Sequence, residues 1–170
     1  VICCGYTLTE GTPAPAAHSA LIVKYSPDLE LVGRKVIYGA YESVFWNVAA
    51  DSNNNIYAVG GTKAEGTPGS PTYADAIIFK FDPELNVIQK KRYSGSGEDN
   101  FYSIFIDKYD SIYCCGYVGN PSSAIIHGSV VRFDTNLNLL SAKKYGNTGD
   151  TSFRSIVMDS TGSLICTGYT

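Results

Sequence analysis

The sequence predicts an all-β fold built from tandem copies of one four-stranded antiparallel unit. Three observations predict it. A set of anchor residues recurs three times in register, the segments between turn signals are rich in Val, Ile, Tyr and Thr, and no segment holds an i, i+3, i+4 apolar pattern over three turns.

The anchors are Lys24, Lys80 and Arg132; Tyr38, Tyr93 and Tyr145; Phe45, Phe101 and Phe153; and Asp51, Asp107 and Asp159. Gly60, Gly116 and Gly168 close the units, and Gly5 occupies the same position ahead of the first. The Asp-to-Gly distance is nine residues in every copy, and the basic-to-Tyr distance is 14, 13 and 13.

The second copy shows the elements in order. Ala76 to Phe81 is β-branched and aromatic, which suits a strand. Asp82-Pro83-Glu84-Leu85-Asn86 is a turn, because Asp suits position i and Pro presets φ at i+1. Ser26-Pro27-Asp28 and Asp134-Thr135-Asn136 fill the same slot. A second strand ends at Tyr93, a Gly/Ser/Asp loop covers Ser94 to Asp99, and a third strand runs from Phe101 to Asp107. The tight turn Lys108 to Ser111 leads to a fourth strand, Ile112 to Tyr117.

Ile104-Phe105-Ile106, Ile156-Val157-Met158 and Val130-Val131 are apolar on consecutive residues. A half-buried sheet alternates with period two, so continuous runs mean that both faces are covered. A four-stranded sheet that packs between two like neighbours is a β-propeller blade. A sandwich also holds repeated strands, and a solenoid fits less well because its coil needs only about 20–30 residues. The expected division is 1–7 as the last strand of a preceding blade, then repeats at 8–62, 63–118 and 119–170. Propellers need about four to eight blades. Three repeats therefore predict either a partial propeller or part of an assembled ring, with further blades from the same or another chain as partners. The chain opens at Val1, inside a predicted strand, and is expected to be a segment of a longer or processed protein.

Over 170 residues, 44% are hydrophobic and 17% charged, a globular composition. The formal charge of −3 argues against a nucleic-acid partner. No apolar run approaches the roughly 20 residues of a membrane-spanning helix, so no membrane insertion is expected. The five cysteines include the vicinal pairs Cys3-Cys4 and Cys114-Cys115, read as small buried residues because they lack metal-ligand spacing.

Asp75-Ala76-Ile77-Ile78-Phe79-Lys80-Phe81-Asp82, then Lys91-Arg92-Tyr93-Ser94-Gly95-Ser96-Gly97-Glu98-Asp99, then Ile112-Tyr113 through Gly116-Tyr117, is similar to the bacterial and phage β-propeller repeat called SBBP. The resemblance runs three times along the chain. It implies a propeller on a secreted, cell-surface or virion protein, with no shared catalytic residues.

Basic residues inside apolar strands need partners. Lys24, Lys80 and Arg132 are therefore paired with Asp51, Asp107 and Asp159 as one structural ion pair per repeat; the alternative is that each basic head snorkels to the rim and each Asp organises its turn. Asp51-Ser52-Asn53-Asn54-Asn55 has calcium-loop spacing but lacks a distal Glu, so it reads as an Asx turn. No metal or cofactor is expected. Glu98-Asp99 and Asp150 are candidate carboxylates, yet no nucleophile–base–orienter set is visible, and no enzymatic activity is expected.

The interval from closing Gly to the next basic residue is 19, 20 and 16 residues, the most variable in the repeat. Loops that vary on a fixed scaffold are where recognition sits. Tyr73 and His127, in two of these loops, are the candidate binding residues. The expected function is a non-catalytic scaffold or adhesion module of a larger extracellular, surface or virion protein. The alternatives are a carbohydrate- or protein-binding propeller and part of a propeller hydrolase or lyase.

Overall fold

The computed structural model describes residues 1–8, 18–38, 42–63, 74–94, 97–119, 125–146 and 149–170. Among them run thirteen strands and no helix. They are β1 (Ile2–Thr7), β2 (Ser19–Tyr25), β3 (Leu31–Ile37), β4 (Ser43–Ala50), β5 (Ile56–Thr62), β6 (Asp75–Phe81) and β7 (Val87–Tyr93). Then follow β8 (Asp99–Ile106), β9 (Ile112–Gly119), β10 (Ile126–Phe133), β11 (Leu139–Tyr145), β12 (Ser152–Met158) and β13 (Leu164–Tyr169).

The strands form four antiparallel sheets in the orders β1-β2-β3, β4-β5-β6-β7, β8-β9-β10-β11 and β12-β13. The sheets stack in chain order: β4 packs on β1, β8 on β4 and β5, and β12 on β8 and β9. The sheets do not coincide with the repeat units expected from the sequence. A unit such as 63–118 gives its first two strands to one sheet and its last two to the next. The Val1–Thr7 strand, expected to belong to strands elsewhere, pairs with β2, with Gly5 opposite Leu21. The physical reason is that a tandem repeat has a period but no phase. Sheet membership is set by which connection folds back as a hairpin and which crosses to the neighbouring sheet.

Stacking accounts for the continuous apolar runs. In β6, Ile77, Phe79 and Phe81 face the first sheet and pack with Ile22, Phe45 and Ile56. Ala76 and Ile78, alternating with them, face the third sheet and pack with Phe101, Ile104 and Phe133. The strand is greasy on both sides because each side has its own neighbour.

One turn closes every strand pair of this kind. Asp51 Oδ1 accepts from the N–H groups of Asn53 and Asn55 at 2.9 and 2.8 Å. Asp82, Asp107, Asp134 and Asp159 do the same. These are Asx turns, in which a short carboxylate side chain satisfies the reversing backbone. The fourth residue of each turn takes positive φ: Leu29, Asn54, Leu85, Asp110 and Leu137 at 55–66°, and Gly162 at 89°. A leucine in that region is uncommon, and packing supplies the compensation. Leu85 and Leu137 are 3% and 1% exposed, each plugged into the core between its own sheet and the preceding one. Leu29, on the first sheet, is 69% exposed.

The repeated basic residues reach a different partner from the expected one. Lys24 Nζ donates to the Pro83 carbonyl at 2.7 Å, and Lys80 Nζ donates to the Thr135 carbonyl at 2.9 Å. Both carbonyls lie in the Leu-bearing turn of the next sheet. Lys80 and Arg132 also sit over the rings of Tyr57 and Tyr113, their cross-strand neighbours, each at 5.5 Å. Among the described residues, neither Lys24–Asp51, Lys80–Asp107 nor Arg132–Asp159 forms an ion pair. Asp51 and Asp107 instead bind their own turns and accept from Tyr57 and Tyr113 hydroxyls, while Asp159 binds Thr161 and Ser163. The turn carbonyls leave the two lysines partnered without fixing a buried carboxylate opposite them, and Arg132 donates to Ser111 Oγ at 2.9 Å.

Cys114 and Cys115 are fully buried, whereas Cys3 is exposed and Cys4 half-buried. Burial pushes the Cys114 thiol up, and burial followed by the neighbouring Cys3 pushes Cys4 to about 11. Only thiolates react readily with disulfide reagents. Native protein treated with such a reagent at mild alkaline pH is expected to modify the exposed Cys3 before the half-buried Cys4, with Cys114 labelled only on unfolding. Peptide mapping checks the order.

Candidate functional site

Strands β4, β8 and β12 each carry a β-bulge at one repeated slot. β4 pairs Phe45 with Gly60 and Asn47 with Val59, so Trp46 has no residue opposite it. Tyr102 in β8 and Arg154 in β12 are displaced in the same way. A bulge re-aims its extra side chain. Here it turns three side chains toward one another across sheets.

The result is a continuous aromatic ribbon. Tyr6 from β1 meets Trp46 edge-on at 6.4 Å between ring centroids, and Trp46 meets Tyr102 at 5.8 Å. Tyr102 contacts Tyr117 at 5.8 Å, and the Arg154 guanidinium lies over the Tyr102 ring at 3.7 Å and the Tyr169 ring at 5.4 Å. Trp46 and Tyr6 remain 44% and 48% exposed. Large aromatic faces left in water on a folded surface are unusual unless something covers them.

Beside the ribbon lies a cleft of about 260 Å³, lined by Tyr6, His18, Glu42, Trp46, Lys63, Glu98, Asn100, Tyr102 and Tyr117 among others. It sits at the end of the sheets from which the variable loops leave. Its polar groups are arranged by the same junctions that stack the sheets. The Ser43 N–H donates to the His18 carbonyl at 2.8 Å, clasping the first sheet to the second. Asp99 N–H to Ala74 and Thr151 N–H to Ile126 repeat that clasp at the next two junctions. The clasp places His18 Nδ1 on Glu42 Oε1 at 2.5 Å, and Lys63 Nζ donates to Glu42 Oε2 at 3.0 Å. The Lys63 ammonium, and behind it the His18 ring, hold the Glu42 carboxyl below its ordinary range. Across the cleft, Glu98 accepts from the Tyr117 hydroxyl at 2.8 Å, and burial and then Glu98 raise the Tyr117 phenol. Asn100 is 7% exposed, and its buried Oδ1 has no hydrogen-bond partner among the described residues.

A depressed carboxyl contributes stability above its unfolded value, and the contribution fades as pH falls through the folded value. Because both partners are more than a third exposed, the effect is small. Melting temperatures of the native chain and Glu42→Gln are expected to differ slightly near neutral pH and to converge as the pH drops below the ordinary Glu value of about 4.3. A pH series of thermal melts measures this.

His127 lies in β10, where its Nδ1 hydrogen-bonds the Gly146 carbonyl system at 2.9 Å; it does not line the cleft. Tyr73 lies outside the described residues. Of the candidate carboxylates, Glu98 lines the cleft, while Asp150 accepts from the Ile126 N–H. His18, Glu42, Trp46 and Tyr102 are the residues that sequence reasoning missed. His18 and Glu42 are 24 residues apart, with no motif between them. Trp46 and Tyr102 had a usable signal: both directly follow the anchor Phe, one register step from an invariant of the repeat.

A second depression of about 490 Å³ lies between the Asp107 and Asp159 turns. Both carboxylates there are committed to their own backbone. Among the described residues no group of three His, Cys, Asp or Glu side chains is placed to hold a metal ion. No protein-family model matches the chain, and no curated protein matches it.

Proposed function

We propose that the chain is a run of β-propeller blades of the SBBP-repeat kind and acts as a non-catalytic adhesion module whose cleft takes a saccharide. The observation that carries the binding role is the ribbon of exposed Tyr6 and Trp46 and half-buried Tyr102 flanking a small polar cleft. A sugar ring has an apolar C–H face and a rim of hydroxyls. Aromatic faces suit the first, and carboxylate and amide oxygens suit the second. Glu42, Glu98 and the unpaired Asn100 Oδ1 all accept hydrogen bonds, which hydroxyls donate. The cleft is smaller than the roughly 300–1,000 Å³ of drug-sized sites, so it takes a terminal sugar or a short oligosaccharide rather than a folded domain.

Glu42 disfavours the hydrolase reading. A general acid needs a raised carboxyl pKa, and Glu42 is held low by Lys63 and His18. The propeller assignment is supported by both-face burial, the fixed stacking order and the three-fold repetition of the clasp. A glycan-binding role suits the extracellular, cell-surface or virion setting that the repeat implies.

Trp46 is the single tryptophan of the chain, so its fluorescence reports the cleft directly. Screening on a glycan array followed by fluorescence titration is expected to give a saturable change with one saccharide class. An array without a hit, or a hit that leaves Trp46 emission unchanged, overturns the reading.

A further inference from the structure

The two residues ahead of each closing glycine face opposite ways, as neighbours on a strand must. Val59, directly before Gly60, packs in the core shared with the third sheet, and Ala58, one step earlier, packs in the core shared with the first. Cys114 stands in the Ala58 slot and lies in the same core as Val59. Cys4 stands in the Val59 slot and packs against the core that holds Ala58. Each junction therefore sets the residue before one closing glycine against the residue two before the next. The first junction joins Cys4 with Ala58 and the second joins Val59 with Cys114. By the same register the third joins Cys115 of β9 with Cys166 of β13.

The contacts at that junction agree with the register. Ser103 lies opposite Cys115, and Ile156 lies opposite Cys166. The Ile156 N–H donates to Ser103 Oγ at 3.4 Å, so the cross-strand partners of the two cysteines touch across the gap between sheets. The thiols themselves are hydrogen-bonded to each other. Donation by the Cys115 S–H holds the Cys166 thiol below its ordinary range against the opposing effect of burial, and the same bond, then burial, pushes the Cys115 thiol up. Of the three junctions this one alone brings two cysteines together. Cys114 is no competitor for Cys115, because vicinal side chains point to opposite faces and a disulfide needs its Cβ atoms directed at each other.

We propose that Cys115 and Cys166 form a disulfide that staples the third sheet to the fourth, with a small-molecule disulfide of the oxidised-glutathione kind as the oxidant. The Cys166 thiolate attacks one sulfur of the oxidant, forming a mixed disulfide and releasing the first thiol. Cys115 then gives up its proton and attacks Cys166 Sγ, forming the protein disulfide and expelling the second thiol. The protein loses two electrons and two protons, and the two released thiols carry them. The bond closes a loop that holds the whole of β10, β11 and β12. Closing so long a loop restricts the unfolded chain more than the folded one. It also locks a junction otherwise held by packing and hydrogen bonds.

The test is peptide mapping of the full chain without reduction, after equilibration with glutathione buffers of increasing oxidised fraction and an acid quench. One cross-linked peptide joining Cys115 to Cys166 is expected, lighter by two hydrogens than the two thiol peptides together. Cys114→Ala should keep the link and so assign it to Cys115. Cys115→Val and Cys166→Ala install the residues that the second sheet carries as Val59 and Ala58, so the fold should persist by circular dichroism while the link disappears. The oxidised native chain is expected to melt about 5 °C or more above the reduced chain, and neither of these two variants should gain that rise. Free Cys115 and Cys166 thiols at the most oxidising ratio, a link from either to Cys3, Cys4 or Cys114, or equal melting temperatures for the two redox forms overturns the proposal. None of these outcomes depends on whether the cleft binds a sugar.

Discussion

Trp46→Ala is expected to lower saccharide affinity by at least about tenfold, while Trp46→Phe retains much of it. The bulge gives Trp46 no cross-strand partner and leaves it 44% exposed, so its removal opens no core cavity. What is lost is the central platform of the ribbon, between Tyr6 and Tyr102. Buried aromatic anchors contribute about 2 kcal/mol or more at binding sites, and a phenyl ring keeps the flat face but not the width. Calorimetry with the saccharide identified on the array measures the change, and a thermal melt checks that the fold persists. Equal affinities for the alanine variant and the native chain would remove Trp46 from the site.

Gly116→Ala is expected to be strongly destabilising, and Gly5→Ala, at the equivalent repeat position, close to neutral. A Cβ at Gly116 would lie 1.9 Å from the Asn100 carbonyl oxygen and 3.0 Å from the Phe101 Cα. Both are backbone atoms of β8 in the bulge that displaces Tyr102, so no rotamer change relieves the clash. Overpacking of this kind costs about 1–3 kcal/mol and more where the backbone must move, and Phe101 beneath it is fully buried. Among the described residues nothing lies within 4 Å of a Cβ at Gly5. Urea denaturation of the two variants gives the comparison. Similar midpoints would mean that the bulge yields readily, and the aromatic ribbon would lose its claim to a fixed geometry.

The same glycine links what was legible in sequence to what was not. Its recurrence nine residues after each anchor Asp marked it as structural, but not why. The reason is the carbonyl pressed onto it from the bulged strand, and the bulge also aims Trp46 and Tyr102 at each other. The sequence places Leu85 in a turn and gives no local sign that it or Leu137 is buried. Their positive φ and near-complete burial arise from the preceding sheet, which local turn chemistry does not describe. The paired role for Lys24 and Lys80 failed for a related reason. Opposite charge suggested Asp51 and Asp107, but those carboxylates are already saturated by turn N–H groups, and a backbone carbonyl of the next sheet lies nearer.

The amino-acid sequence alone determined the strands, the Asx turns between them, the absence of helical periodicity and the need to cover both faces of each sheet. These are local or short-period properties, written within a few residues of one another. The tertiary structure decided which strands share a sheet, where the cations find partners, and that His18, Glu42, Trp46 and Asn100 surround one cleft. Contacts such as Lys24 to Pro83 span 59 residues and Lys80 to Thr135 span 55. A periodic sequence sets the spacing of such contacts, but only the packed sheets choose which copy meets which.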